Sequence, residues 1–287
     1  MSRIGIIGGT GIYKMPGLEV LEEIEQPTPF GQPSDRFRLG RLEGREIVFL
    51  ARHGQGHSLL PSELNSRANI YGMKKLGVSR IISLSAVGSL KKDFKPLDLV
   101  LVDQFVDRTR GGQSQTFFGD GIAAHIQFSE PLCPQLRKIL FEAGRAIGAS
   151  IKWGGTYLNM EGPAFSTLAE SQTYRKWGMD VIGMTQIAEA KLAREAEICF
   201  ATVATVTDYD CWYGAETGET VSVQVVIENL NRNVRVAREL VRRAVAAIPQ
   251  DHTCGCSDAL DGAIITDREQ WPEQTVAKLE PLLSKYL

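Results

Sequence analysis

The chain predicts an α/β fold on three observations. Short β-branched apolar runs alternate with segments of helical period, the run at residues 198–206 is apolar but for Thr202 and Thr205 in the manner of a buried strand, and no repeat, low-complexity tract or linker interrupts residues 1–248. At 287 residues with 43% hydrophobic composition there is material for a substantial core. A formal charge of -2 and a pI near 6.1, with no basic stretch interleaved with aromatics, give no electrostatic footprint for nucleic acid. No apolar run approaches the length of a membrane span, and Met1 to Gly11 lacks the features of a signal peptide, so a cytosolic location and no membrane partner are expected.

Residues 3–7 read as the first strand, closed by the turn Gly8-Gly9-Thr10-Gly11, after which two proline-containing stretches keep the chain irregular as far as Pro33. Strands follow at 36–42 and 46–51. Pro61 and Ser62 then open a helix expected to reach Leu76, since proline suits the first helical position, and Gly77 stops it. Residues 79–86 form a strand ending in Val87-Gly88-Ser89, followed by a strand at 98–103 and a long loop containing Gly111-Gly112 and Phe117 to Gly121. The alternation continues with helix 134–147, strand 151–160, helix 167–177, strand 181–183, helix 186–196 and the apolar strand that leads to Asp208. Val226, Leu230, Val234, Ala237, Val241 and Val245 recur at steps of three and four, the stripe of an amphipathic helix. Its arginines pair on paper with Glu228 (Arg232) and Glu239 (Arg243) at i and i+4, which makes that face a solvated one rather than an anion patch. Residues 249–287 read as a C-terminal extension packed on the same domain, with a connector over 249–261 and a final helix over 271–286.

Five cysteines fit a reducing compartment. Cys133, Cys199 and Cys211 lie far apart in the chain and read as small buried hydrophobes. Cys254-Gly255-Cys256 reads as reduced thiols or a local disulfide; with His252 near it a metal is conceivable, but no fourth ligand is evident, so none is expected.

The chemistry-bearing feature is Thr207-Asp208-Tyr209-Asp210-Cys211-Trp212, which closes the apolar run. Asp often just starts a turn. At the end of a strand in an open α/β sheet, however, a carboxylate stands where ligands bind, and burial there raises its pKa toward neutrality, as a general acid needs. Other strand ends carry groups suited to an oxyanion: Gly8 to Gly11 with the Thr10 hydroxyl, Arg52-His53, Ser85-Ala86 and Thr185. Such a set suits inorganic phosphate. The glycines do not spell G-x-G-x-x-G, and Pro16-Gly17 interrupts the helix a dinucleotide needs, so a Rossmann unit ranks low; no P-loop lysine is present.

Read together, Ile4-Gly5-Ile6-Ile7-Gly8-Gly9-Thr10-Gly11, Pro29-Phe30-Gly31-Gln32-Pro33-Ser34-Asp35, Leu50-Ala51-Arg52-His53-Gly54, Glu161-Gly162-Pro163, Met184-Thr185 and Thr207 to Trp212 resemble the 5'-methylthioadenosine phosphorylases over about residues 3–249. The resemblance implies the purine nucleoside phosphorylase-like three-layer fold, with a central mixed, twisted sheet flanked by helices, and a homotrimer or a dimer of trimers. It implies phosphate-dependent cleavage of methylthioadenosine with no cofactor, phosphate being a co-substrate. By motif, Thr10, Arg52, His53, Ser85, Ala86 and Thr185 would hold phosphate and Met184 would lie under the ribose. Phe165, Ser166, Asp208, Tyr209 and Asp210 would surround the base, with Asp208 protonating purine N7 and Asp210 beside it. Val223, Val226 and Ile227 would receive the 5' group, closed by His125 of a neighbouring subunit. Three positions depart from the pattern: Ala164 stands where the family usually has Arg, Gly183 where it has Asn, and Ala188 where it has Pro. A broader purine nucleoside phosphorylase, a hydrolytic nucleosidase and a non-catalytic nucleoside binder are the alternatives.

Overall fold

The computed structural model describes the chain apart from residues 1, 10, 11, 13, 14, 112, 113, 219–222 and 252 and the side chain of Val223. In chain order the elements are β1 (Arg3–Gly8), β2 (Glu19–Ile24), β3 (Phe37–Leu42), β4 (Arg45–Ala51), α1 (Ser66–Lys75), β5 (Val78–Ser89), β6 (Leu99–Leu101) and β7 (Gln104–Arg108). There follow α2 (Pro134–Ala146), β8 (Ile151–Trp153), β9 (Thr156–Met160), α3 (Leu168–Lys176), β10 (Val181–Gly183), α4 (Gln186–Glu195), β11 (Cys199–Tyr209), α5 (Trp212–Thr217), α6 (Val223–Ala247), α7 (Glu273–Lys278) and α8 (Glu280–Leu283).

All eleven strands join one mixed sheet. Side-chain alternation along β1 divides the core: Ile7 packs with residues of α1, α4 and α8 on one face, whereas Ile4 and Ile6 pack with α2 and α6 on the other. The three layers expected of the sequence are therefore present. Leu260, Leu279, Leu282 and Leu283 of the C-terminal extension are buried in the first of these cores.

β5 is the hub of the sheet. Along one edge it pairs in parallel with β11 from Arg80 to Val87, and beyond a bulge at Gly88 and Ser89. Along the other it pairs with β1 as far as Ser83 and with β10 only from Gly88. Among the described residues no strand pairs with Leu84, Ser85, Ala86 or Val87 on that second edge. A sheet interrupted in this way leaves backbone donors for something else.

Six local expectations need correction. β2 was unexpected because Glu19–Ile24 is an acidic edge strand with almost every residue exposed, so no buried face imprints an alternation. β7, also largely exposed, was hidden in the long loop. The strand expected at 151–160 is two, broken where Gly154 turns to φ +84°; β8 joins β6 while β9 joins β10 and β7. Pro61–Glu63 makes only a short 3-10 turn, and α1 starts after Asn65, whose side chain accepts from the Ala68 N–H at 3.1 Å. The final helix is split into α7 and α8, with Pro281, which lacks an N–H, in the first turn of the second. On α6 the ion pair joins Glu239 to Arg242 at i,i+3 rather than to Arg243.

The cysteines also differ from expectation. Cys211 is exposed, and Cys133 and Cys199 are not isolated hydrophobes: their Sγ atoms and those of Cys254 and Cys256 all lie within 4.8 Å of one another. Sequence separation concealed this because three elements distant in the chain bring them together.

Candidate active site

The unpaired edge of β5 faces a set of polar groups. The Arg52 N–H, just past β4, bonds the Gly8 carbonyl at 3.0 Å, tying it to the end of β1. Its guanidinium is 2% exposed. Nε donates to Glu189 Oε1 at 2.5 Å, Nη2 to Glu189 Oε2 at 3.0 Å and to Ser83 Oγ at 2.6 Å, and Nη1 to the Leu84 carbonyl at 2.7 Å. A guanidinium has five N–H groups, so one on Nη1 is left for a ligand. Arg52 is thus held by Glu189, a residue that sequence reasoning missed. A carboxylate on the buried face of α4 was the available signal, since a buried charge requires a partner.

His53 stacks on His57 with ring centroids 4.3 Å apart, and its Nδ1 lies 2.9 Å from the Leu59 carbonyl. A carbonyl only accepts, so Nδ1 carries the proton and Nε2 of the neutral ring is an acceptor. Burial, reinforced by the Arg52 charge, lowers its pKa to about 4, so the ring is neutral at physiological pH and can accept from a phosphate P–OH.

Thr185 is the N-cap residue of α4 and is nearly buried. Asn159 Oδ1 takes the Gln186 and Ile187 N–H groups at 2.8 and 3.1 Å, while Thr202 donates to Gln186 Oε1 at 2.7 Å. The N-terminus of α4 is held rigidly, and a helix N-terminus favours an anion. Ser85 Oγ lies 3.1 Å from the hydroxyl of Tyr157, which is fully buried.

Tyr157 also accounts for Gly183. A Cβ at position 183 would stand 1.9 Å from the Tyr157 Oη and 2.5 Å from its Cζ. The tyrosine ring therefore occupies the space that the family's usual asparagine would need, and its hydroxyl supplies a polar group there. Gly183→Asn is expected to cost about 1–3 kcal/mol by overpacking and to depress activity. Tyr157→Leu combined with Gly183→Asn should recover part of that loss in a double-mutant cycle of stability. Additive losses would mean that the two positions do not share this space.

The carboxylates sit across the hub strand. A register shift between Val206 and Asp208 sets Asp208 opposite Gly88. Thr207 Oγ1 donates to Asp208 Oδ1 at 2.6 Å. From α6, Asn229 and Asn233 donate to the carbonyls of Thr207 and Val206, each at 2.8 Å, which fixes the strand end. Burial chiefly, with a smaller push from Asp210, raises the Asp208 pKa to about 6, against the opposing Thr207 hydrogen bond. Burial likewise raises Asp210, whose Oδ2 is buried with no hydrogen-bond partner among the described residues.

The remaining expected residues fall into three groups. Ser166 lies beside the acids, its carbonyl 3.5 Å from Cys211 Sγ, and Phe165 next to it is 80% exposed, as is unusual for an aromatic. Met184 packs on the 161–163 loop, since a Cβ at Gly162 would meet its Sδ at 2.5 Å. Val226 is half-buried and shares a helix face with Asn229 at i,i+3, whereas Ile227 is exposed. Tyr209 does not join the acids through its side chain: the ring stacks on Tyr213 at 4.3 Å and the hydroxyl donates to the Lys92 carbonyl at 3.1 Å. In a strand, neighbouring side chains alternate, and this one is turned away. His125 is exposed on the segment pinned to the C-terminal extension by its N–H bond to the Ala263 carbonyl. Thr10 and the Val223 side chain lie outside the described residues.

The profile of the phosphorylase superfamily matches residues 3–246. A relative from Koribacter versatilis (strain Ellin345), named S-methyl-5'-thioadenosine phosphorylase, is 54% identical over 99% of this chain and 97% of its own length. Among solved structures, a methylthioadenosine phosphorylase from an antarctic soil metagenomic library superposes with a TM-score of 0.92 at 45% identity, covering 98% of this chain and 99% of that one. An adenosine/methylthioadenosine phosphorylase mutant from Schistosoma mansoni in complex with methylthioadenosine gives 0.85 at 33% identity, covering 94% and 100%.

Proposed function

Because this chain belongs to the phosphorylase superfamily, we propose that it cleaves the N-glycosidic bond of 5'-methylthioadenosine with inorganic phosphate, giving adenine and 5-methylthioribose 1-phosphate. The observation that carries the reading is the placement of an anion cradle and a carboxyl of raised pKa on opposite edges of one strand, β5. Breaking the bond builds positive charge on the ribose and negative charge on the purine, so an anion below C1' and a proton at N7 both stabilise the transition state. One phosphate oxygen forms the new bond to C1' while the C1'–N9 electron pair moves into the purine, and Asp208 delivers a proton to N7 so that neutral adenine leaves.

The phosphate ligands in this reading are the backbone N–H groups at Ser85-Ala86, the Thr185 end of α4, His53 Nε2, the spare Nη1–H of Arg52, and Thr10. Asp208, hydrogen-bonding the amino group of adenine, and Asp210 face the base with Ser166 and Phe165; Met184 lies under the ribose, and Val226 and Ile227 begin the 5' pocket. Phe165 and Ile227 are exposed in the single chain, which supports a homotrimer in which a neighbour's His125 completes the pocket. No helix among the described residues is long and apolar enough to cross a membrane; the reading is of a cytosolic enzyme with phosphate as co-substrate and no cofactor. A second reading, activity on adenosine as well, draws on the Schistosoma relative, whose name includes both substrates.

Purified protein incubated with methylthioadenosine, adenosine, methylthioinosine and inosine, each with and without phosphate, tests both readings by the free base released. Adenine should appear from methylthioadenosine only with phosphate. Release of equal speed without phosphate would identify a hydrolase and overturn the proposal.

A further inference from the structure

Cys133, Cys199, Cys254 and Cys256 converge away from the carboxylates, at the opposite end of β11 from Asp208. Cys133 is the N-cap residue of α2, Cys199 is the first residue of β11, and Cys254 and Cys256 flank the start of the 3-10 turn Gly255–Asp258. None is in a disulfide, and Cys199 Sγ lies 3.2 Å from Cys254 Sγ. A zinc ion with Zn–S bonds of about 2.3 Å holds its sulfurs roughly 3.8 Å apart. Four sulfurs all within 4.8 Å of one another have the dimensions of that tetrahedron.

Charge provides an independent argument. Arg80 is paired across the strands with Cys199 and is 2% exposed. It donates through Nη2 to the Asp251 carbonyl at 2.7 Å, while Nη1 is buried with no hydrogen-bond partner and no carboxylate pairs with it among the described residues. Anionic sulfur at Cys199, its partner across the strands, and in the cluster Cys199 belongs to would compensate it. A buried guanidinium without a counter-charge is costly. Four neutral thiols, or two disulfides, would leave it uncompensated, whereas one divalent cation with four thiolates carries a net charge of about -2. The Leu136 N–H is directed at Cys133 Sγ at 3.5 Å, and the α2 N-terminus favours a thiolate there.

We propose that these four cysteines bind one zinc ion as a structural tetrathiolate site. The soft all-sulfur donor set selects zinc over hard cations, and four protein ligands leave no open position for catalysis. The ion would clamp residues 254–256 to α2 and β11, and so anchor the segment that buries Leu260, Leu279, Leu282 and Leu283. This site is separate from the phosphorolysis proposed above and is tested without an activity assay.

The untagged full chain, purified in reductant with zinc supplied in the growth medium, should carry about one zinc per chain by elemental mass spectrometry. Cobalt added to the reduced apo protein should give the visible absorption of a tetrahedral thiolate complex. The paired substitution Cys254→Ser, Cys256→Ser should abolish both signals, while Cys211→Ser should keep them; the cobalt titration of the unsubstituted chain decides the matter if the paired variant does not fold. Wild-type protein free of zinc and giving no cobalt–thiolate bands, intramolecular disulfides in the protein as isolated from the cytosol, or undiminished zinc in the paired variant would each overturn the assignment.

Discussion

Asp208→Asn is expected to lower kcat by about 10²–10⁴-fold, the usual worth of a positioned general acid, while leaving the phosphate KM within a few-fold of wild type. The amide can still accept the Thr207 hydrogen bond at Oδ1 but has no proton to give to N7. In the wild type, kcat/KM for methylthioadenosine should fall as pH rises through about 6, since in the proposed mechanism the protonated carboxyl is the working form. Stability should fall over the same rise in pH. The folded pKa of about 6 exceeds the ordinary aspartate value of 3.8, so between those values the folded state retains a proton that the unfolded chain releases. Stability contributed by the neutral carboxyl is therefore present below 3.8 and lost as pH rises to about 6. At neutral pH the aspartate carries a penalty of about 1–3 kcal/mol that asparagine does not, so the inactive variant should unfold at higher urea than wild type. Near-normal turnover in the asparagine variant would remove Asp208 from the mechanism. An inactive but destabilised variant would instead indicate a structural role.

Glu189→Gln is expected to destabilise the protein by about 3–5 kcal/mol, the cost of breaking a buried ion pair from one side. Arg52 and Glu189 have side chains 2% and 1% exposed, and the amide would leave the guanidinium buried without its counter-charge. An anion beside Arg52 would then assume that role. Added phosphate should raise the urea midpoint of Glu189→Gln more than that of wild type, because a ligand stabilises in proportion to its affinity for the folded state. A variant as stable as wild type, or one indifferent to phosphate, would contradict this arrangement.

Much of the candidate site is legible in the sequence. Asp208 and Asp210 close an apolar run, Arg52 follows another, and Thr185 opens a helix; a strand end and a helix start are local facts, written in adjacent residues. Glu189, Tyr157 and Asn159 were not legible as site residues, because their importance lies in what they touch. Glu189 is separated by 137 residues from the arginine it neutralises, and Tyr157 matters only because its ring takes the place of a side chain at position 183. Tyr209 misled for the converse reason: it lies between the two acids in sequence, yet alternation in a strand turns it toward Tyr213.

The sequence alone determined the α/β class, most element positions and the chemical types gathered at strand ends, since hydrophobic period, caps and turn residues act over a few positions. The tertiary structure decided the edge of β5 left without a strand partner among the described residues, the burial that raises the Asp208 pKa, and the meeting of four cysteines from three elements. Desolvation and charge compensation depend on what surrounds a group in space, and that surrounding is assembled from residues far apart in the chain.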